Sequence, residues 1–317
     1  MSQLSFAQMS VSKKRLRIDQ FLGEMNQIIP WTLLVEKLRP HYYNNKTGRP
    51  AYDLLLMLKI HCLQQWYALS DKVAEEAIYD RFSFQKFLDL DPFQQTIPDE
   101  TTILAFRHFL EEHRLGERIF EEINAYLRSR GLLLKEGTIA DATFISAPSS
   151  TKNKEEKRDP EMSSAKKNNE WHFGMKMHIG ADSKNGLVHS LVLTTAKISD
   201  RDAFPGLLHG QERAVFGDKG YYSDVDKHHA RDAEIYFGVM EKRKPRHGEL
   251  SRRQRKRNER HSKIRAKVEH VFRIVKDLWK FRKTRFKGLY KNLNKLQMMM
   301  GLANLYLVRR KLAIVNS

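Results

Sequence analysis

From Asp19 to about Leu134 apolar residues return every three or four positions, the period of helices that lay one face on a core. Pro30, Pro40, Pro50, Pro92 and Pro98 cut this pattern into short pieces. The stretch AYDLLLMLKIHCLQQWYAL (51–69) is apolar almost all round and predicts a long, mostly buried helix. Ser70 and the acidic PDETT at 98–102 are residue types that cap helix starts. Short helices on tight turns suit a helix-turn-helix-like DNA-binding module, and a generic helical bundle shows the same pattern.

Past Leu134 the period changes to alternation. GTIADATFI (137–145), FGMKMHIGAD (173–182) and LVHSLVLTTA (187–196) predict strands, the last two joined as a hairpin by SKNG at 183–186. ERAVFGD (212–218) and EIYFGVM (234–240) are shorter strand candidates, with helices expected in DAFPGLLHG and YYSDVDKHHARDA. Helix returns from about Asn258 to Phe281 and from Leu293 to Leu312. Residues 146–170 are polar and aperiodic, which predicts a mobile loop. The chain contains no internal repeat. It divides into a flexible basic lead (1–15), an all-α N-terminal domain (16–134) and a mixed β-sheet with flanking helices (135–317).

Charge narrows the partners. The chain has 57 Lys and Arg against 38 Asp and Glu, a net charge of +19 and a pI near 9.8. Residues 241–290 hold 20 of the basic residues and five of the acidic ones, so +15 of the surplus lies in one segment. A polyanion is the natural partner of such a field, because each neutralised phosphate releases counterions. The same segment carries periodic apolar residues and Trp279, so part of it is expected to fold rather than trail as a tail.

The single cysteine, Cys62, excludes an internal disulfide and a cysteine-based zinc site; it lies in an apolar run, as a core residue would. No secretory signal is evident. The longest apolar run, LQMMMGLANLYLV, is too short to span a bilayer and is interrupted by Asn304, so its methionines read as core filler. A cytoplasmic protein without a membrane partner or small-molecule substrate is expected.

Three carboxylates stand out. Asp141 sits inside a strand-like segment, flanked by Ile139, Ala140, Ala142 and Phe144, where an unpartnered charge is costly. Asp218 ends the short strand of VFGDKGYY, where Gly217 and Gly220 allow a tight turn. Glu269 is the lone acid in IRAKVEHVFRIVK. On a helix turning about 100° per residue, Ile264, Val268, Val271 and Val275 lie within about 60° and form a packing stripe. Arg265, Glu269 and Lys276 lie within about 40° of one another beside it. The simple alternative is an i,i+4 ion pair worth a few tenths of a kcal/mol. Brought together, three such carboxylates would make a hard-oxygen site suited to Mg²⁺ or Mn²⁺.

At these positions the chain resembles the DDE transposases of bacterial insertion sequences, specifically the insertion sequence five group. The resemblance covers about residues 48–312: GRPAYDLLLMLKIHCLQQWYALSD, PDETTILAFRHFL, IADATFI, the GMKMH stretch, FGDKGYY, the R-x3-E-x6-K pattern and GLANLYLVRR, in that order. It implies a ribonuclease H-like catalytic domain in which Asp141, Asp218 and Glu269 bind two metal ions, Mg²⁺ or Mn²⁺. It implies that Arg265 and Lys276 contact DNA near the transposon end. Lys176 and His178 match the family stretch before the hairpin and would face the site if the strand alternates. With Arg252, Arg253, Arg255, Lys256, Arg257 and Arg273 they form the expected DNA-binding set. Ser262 stands where the fuller family signature has a tyrosine, which leaves open how the cleaved end is handled. The His228–His229 pair lacks the spacing of a zinc site and is given no role.

The expected function is a transposase of the nucleoid that binds terminal inverted repeats. Metal-dependent cleavage and strand transfer into target DNA would follow, in a homodimer or higher assembly on DNA. Two alternatives share the features: a nuclease of the same fold that cuts without joining, and a non-catalytic DNA-binding protein derived from a transposase.

Overall fold

The computed structural model describes residues 16–42, 50–152, 154, 156–167, 169–243 and 249–315; the basic lead at 1–15 lies outside the described residues. The N-terminal half is helical: α1 Arg17–Ile28, α2 Trp31–Leu38, α3 Leu54–Tyr67, α4 Asp71–Asp80, α5 Phe82–Leu88, α6 Glu100–Glu112 and α7 Leu115–Ser129. Local chemistry sets the boundaries. Asp53, Ser70 and Asp99 accept from Leu56 N, Val73 N and Thr102 N, capping α3, α4 and α6. Helix α3 is buried from Leu54 and from Met57 through Trp66, including Cys62, as its unbroken apolar character requires. It ends at Ala68, which takes the left-handed conformation at φ 53°.

The second half is built on one mixed sheet: β1 Gly137–Ser146, β2 Ser163–Lys167, β3 Glu170–Asp182, β4 Val188–Thr195, β5 Ala214–Gly217 and β6 Tyr236–Val239. β1 lies between β3 (antiparallel) and β5 (parallel), and β6 extends the sheet parallel to β5. The far edge of β3 is shared: β2 pairs with its first five residues, and β4 with Met175 to Ala181. Helices α8 Asp200–Ala203 and α9 Asp224–Asp232 flank the sheet, followed by α10 Arg252–Arg265, α11 Lys267–Arg273, a π turn at Ile274–Leu278 and α12 Leu289–Val315.

Two stretches differ from the sequence expectation. The segment 146–170, read as a loop, contains β2. Its SSAKK has no apolar alternation, yet it pairs with β3 from Ser163↔Gly174 to Lys167↔Glu170. Side chains further tie the segment down, with Asp159 accepting from Gly288 N at 2.7 Å and Glu161 from Leu289 N at 2.5 Å. The helix expected over Asn258–Phe281 starts earlier and breaks into three. A capping box between Ser251 and Gln254 starts α10 inside the arginine-rich run, where no apolar period marks it. The chain then turns at Ala266 and loosens into the π turn after Arg273.

A continuous core runs through both halves, from Leu22 to Leu312. The 27-residue α12 packs on α7, α1 and β4. Its Met298, Met299 and Met300 are buried, as core filler should be. Asn304, which interrupts the apolar run, is fully buried for a reason. It accepts from Val188 N at 2.8 Å and donates to Val188 O at 2.7 Å and Asn124 Oδ1 at 2.8 Å, joining α12, β4 and α7. Among the described residues no helix is long and apolar enough to cross a membrane.

Candidate active site

Strand register brings the first two carboxylates together. β1 and β5 are parallel neighbours with Ala140 beside Gly217, so the next residues, Asp141 and Asp218, stand side by side where the strands end their pairing. Asp141 is 7 % exposed; it accepts from Ala142 N at 2.8 Å and from Arg265 Nη1 at 2.5 Å. Asp218 caps a short 3-10 turn, Lys219–Tyr221, accepting from Gly220 N at 2.6 Å. A Cβ on Gly220 would approach Asp218 Oδ1 to 2.8 Å, so the small residue permits that cap.

Glu269 enters from α11. The i,i+4 pair with Arg265 is present at 3.7 Å, and the same guanidinium reaches Asp141, so Arg265 bridges two carboxylates from different elements. All three carboxylates line one open cavity of about 580 Å³, together with Arg265, Arg273 and Lys276. Lys276 lies in the π turn and donates to Thr143 Oγ1 at 3.0 Å and to Phe144 O at 3.1 Å.

Burial pushes the Asp141 carboxyl up to about 6, and the charges of Asp218 and Glu269 add to the rise; Arg265 and the Ala142 N–H oppose it without cancelling it. The rise is chiefly the cost of burying the charge, with repulsion from Asp218 and Glu269 a smaller part of it. Tyr221 is fully buried below, its hydroxyl pushed up by burial and by Asp200, Asp141 and Asp218.

Lys176 and His178 do not face this site. The β1–β3 register sets Ile179 opposite Asp141, and His178 opposite Ala142. Directly opposed residues share a sheet face, so Lys176 and His178 fall on the face away from Asp141. Both are buried. Lys176 donates to Ile198 O at 2.6 Å and pairs with Asp200 at 3.0 Å; His178 contacts Thr194 Oγ1 at 2.9 Å and lies 3.8 Å from Asp200. Burial holds His178 down at about 4, so it is neutral. In this arrangement both side chains are engaged within the protein, on the face away from Asp141. Lys176 instead holds Asp200, a further carboxylate lining the cavity. Its signal in the sequence was only an acid after Ser199, the residue that caps α8.

Arg252, Arg253, Arg255, Lys256 and Arg257 are exposed on the first turns of α10, outside the cavity lining. Arg257 pairs with Glu241 at 2.6 Å, and Arg255 lies 3.8 Å from Glu249. Arg273 is exposed at the cavity. Ser262 is half-buried on α10, and His228 and His229 are exposed on α9.

Among the described residues, no three acidic, histidine or cysteine side chains are gathered closely enough to hold a metal ion as they stand. In donor chemistry the site nevertheless fits a hard divalent cation. Its acidic groups are carboxylates on adjacent elements, Asp141, Asp218 and Glu269 among them, and these are hard oxygen donors of the kind such a cation takes. Arg265 supplies the positive charge between Asp141 and Glu269 in this arrangement.

A family model described as transposase DDE domain matches residues 133–305, a range that contains Asp141, Asp218 and Glu269. A second, described as transposase domain (DUF772), matches residues 10–109, the helical half through most of α6. No solved structure matches the chain.

Proposed function

The chain belongs to the transposase DDE domain family, whose model spans more than half of it, and from that premise we propose that it is the transposase of an insertion sequence. In this reading it belongs to the insertion sequence five group, binds the terminal inverted repeats of its element, cuts there and joins the freed end to target DNA. The observation that carries it is the meeting of Asp141 and Asp218, on neighbouring parallel strands, with Glu269 of α11 around one cavity. The sheet order, with three antiparallel strands followed by two parallel ones beside β1, supports a ribonuclease H-like arrangement. The helical half is proposed as the DNA-binding domain, and a dimer or larger assembly on DNA as the working unit.

Transposases of this family generally use divalent metal ions. Here Asp141, Asp218 and Glu269 would hold two Mg²⁺ or Mn²⁺; when bound, such ions activate the attacking oxygen and stabilise the leaving one. The chain's own groups prepare the rest. Lys276, anchored on Thr143 and Phe144, and Arg273 set positive charge at the rim, where a scissile phosphate needs it. Tyr221, fully buried near Asp141, Asp200 and Asp218, keeps its hydroxyl protonated beside them. Asp200, held by Lys176, keeps its carboxylate at the cavity wall. Water is the first nucleophile and the freed 3′-hydroxyl the second. Among the described residues the lining has Thr143 as its sole hydroxyl side chain, and Lys276 engages it, so a covalent protein–DNA step is not needed.

A plasmid carrying the gene with its native flanks tests the reading. Incubated with the protein and Mg²⁺, it should be cut at the element ends and the ends joined to a second plasmid; Asp218→Ala should abolish both. Cutting without joining would leave a nuclease, and binding without cutting would leave a non-catalytic DNA-binding protein.

A further inference from the structure

A second cavity, of about 700 Å³, opens between the helical half and the loop KFRKTRF at 280–286. Its charged lining is one-sided: Arg107, Lys280, Arg282, Lys283, Arg285 and Lys295 face a single carboxylate, Asp71. That carboxylate is already engaged, accepting from Arg107 at 3.0 Å and from Gln64 at 2.8 Å. Lys295 stands 5.1 and 5.2 Å from the rings of Phe281 and Phe286, and Arg107 stands 4.7 Å from Phe286. Cation–π contacts are thus part of what steadies this group of like charges. Burial, with Arg107 and Arg285 nearby, lowers the Lys295 ammonium to about 8. Arg107 is also paired with Glu111, and Arg282 with Asp277, and the balance of charge around the cavity stays positive.

The cavity is connected to the catalytic one. Arg282 lines both. The loop is fastened to the end of the strand that carries Asp141, since Ser146 N donates to Arg282 O at 3.0 Å and Thr284 N to Ser146 O at 2.8 Å. Cations therefore follow β1 in order: Arg265 at Asp141, Lys276 at Thr143 and Phe144, then Arg282 and Lys283 at Ser146. From Asp141 to Ser146 the strand rises about 16 Å at roughly 3.3 Å per residue. That is about five nucleotide steps at roughly 3.4 Å each. A small anion would be served by one pocket. A row of cations running from one cavity into the next suits an extended polyanion.

We propose that the DNA backbone leaving the candidate active site runs along β1, crosses the 280–286 loop and seats phosphates in this second cavity. The helical and catalytic halves then grip one strand. The inference rests on the transposase reading and adds the path of the DNA to it.

Charge removal tests it. Lys283→Gln/Arg285→Gln changes two exposed loop residues, and Lys295→Met removes the enclosed cation while keeping length and apolar contact. Lys184→Gln, in the β3–β4 turn at the opposite end of β1, is the control. Affinity for a 40-base-pair duplex and for its single strand is measured between 50 and 200 mM KCl. Each lost phosphate contact on duplex should flatten the slope of log K against log salt by about 0.9, an affinity loss of about eightfold at 0.1 M salt. The loop double variant should lose about twice that in slope, Lys295→Met about one contact, and Lys184→Gln nothing. Unchanged slopes in both test variants, or an equal loss in the control, would overturn the proposal. So would inorganic phosphate binding that the variants abolish while DNA affinity stays intact, which would mark a free-anion site. Wild-type protein that binds DNA with the expected slopes but never cuts with Mg²⁺ would instead sink the transposase reading and leave this path standing.

Discussion

Asp141→Asn should make the protein more stable while destroying its chemistry. The Asp141 carboxyl is 7 % exposed and raised from 3.8 to about 6, chiefly by burial and further by Asp218 and Glu269. Between those two values the folded protein holds a proton that the unfolded chain has released. Stability therefore falls as pH rises from about 4 to about 6, and the loss is complete above that window. About two pH units at about 1.36 kcal/mol each gives about 3 kcal/mol, an upper figure that already includes the attraction to Arg265. The amide keeps the shape and removes the charge, so at pH 7.5 the variant should gain up to about 3 kcal/mol. With about 2.1 cal/mol/K of unfolding entropy per residue, that is about 4–5 °C in Tm. Urea unfolding of both proteins in EDTA, at pH 4 and at pH 7.5, is the assay. The gain should be present at pH 7.5 and absent at pH 4. A variant less stable than wild type at pH 7.5 would refute the reasoning, because it would mean that the Arg265 pair outweighs burial. Stability gained at the expense of activity is what a strained functional carboxylate should give.

Other outcomes follow from the same geometry. Asp200→Asn should slow cleavage about ten- to a hundredfold with little change in DNA affinity, and Lys176→Met should do the same through loss of its anchor; a full rate in both would make the fourth carboxylate ornamental. Neutralising Arg252, Arg253, Arg255, Lys256 and Arg257 together should weaken binding to all DNA sequences alike and flatten the salt dependence; an unchanged slope would put the start of α10 off the DNA path. Asn304→Ala should cost about 2–3 kcal/mol in urea unfolding, since it leaves the buried Val188 N–H and the Asn124 Oδ1 without their partner.

The sequence exposed the parts of the fold that have a one-dimensional signature. Alternation and β-branched content marked β1, β3 and β4, and SKNG marked the β3–β4 turn, although β3 is buried on both faces from Gly174 to Asp182. Capping residues marked α4 and α6 for a local reason, a side chain accepting from its own helix, and Asp53 caps α3 in the same way. β2 was hidden because its five residues, four of them polar, gain a place only from the overhang of β3, a partner the local pattern does not name. The helix wheel put Arg265 and Glu269 on one ridge, and they are paired. It could not foresee the π turn that carries Lys276, though that lysine still reaches the cavity. Lys176 and His178 failed on register: alternation within β3 was visible, but the face it turns toward Asp141 depends on how β3 slides against β1. Asp200 was invisible for the same kind of reason, since its importance lies in neighbours 22 and 24 positions earlier in the chain.

The central claim is that carboxylates from β1, β5 and α11 act as one divalent-cation site, although Arg265 now stands between two of them. Mn²⁺ binding, read by water-proton relaxation on wild type and on Asp141→Ala, Asp218→Ala and Glu269→Ala, tests it most directly. The account predicts Mn²⁺ bound by the wild-type protein and sharply weakened binding in all three variants, each still folded by circular dichroism. Undiminished Mn²⁺ binding by any one of the three would contradict it.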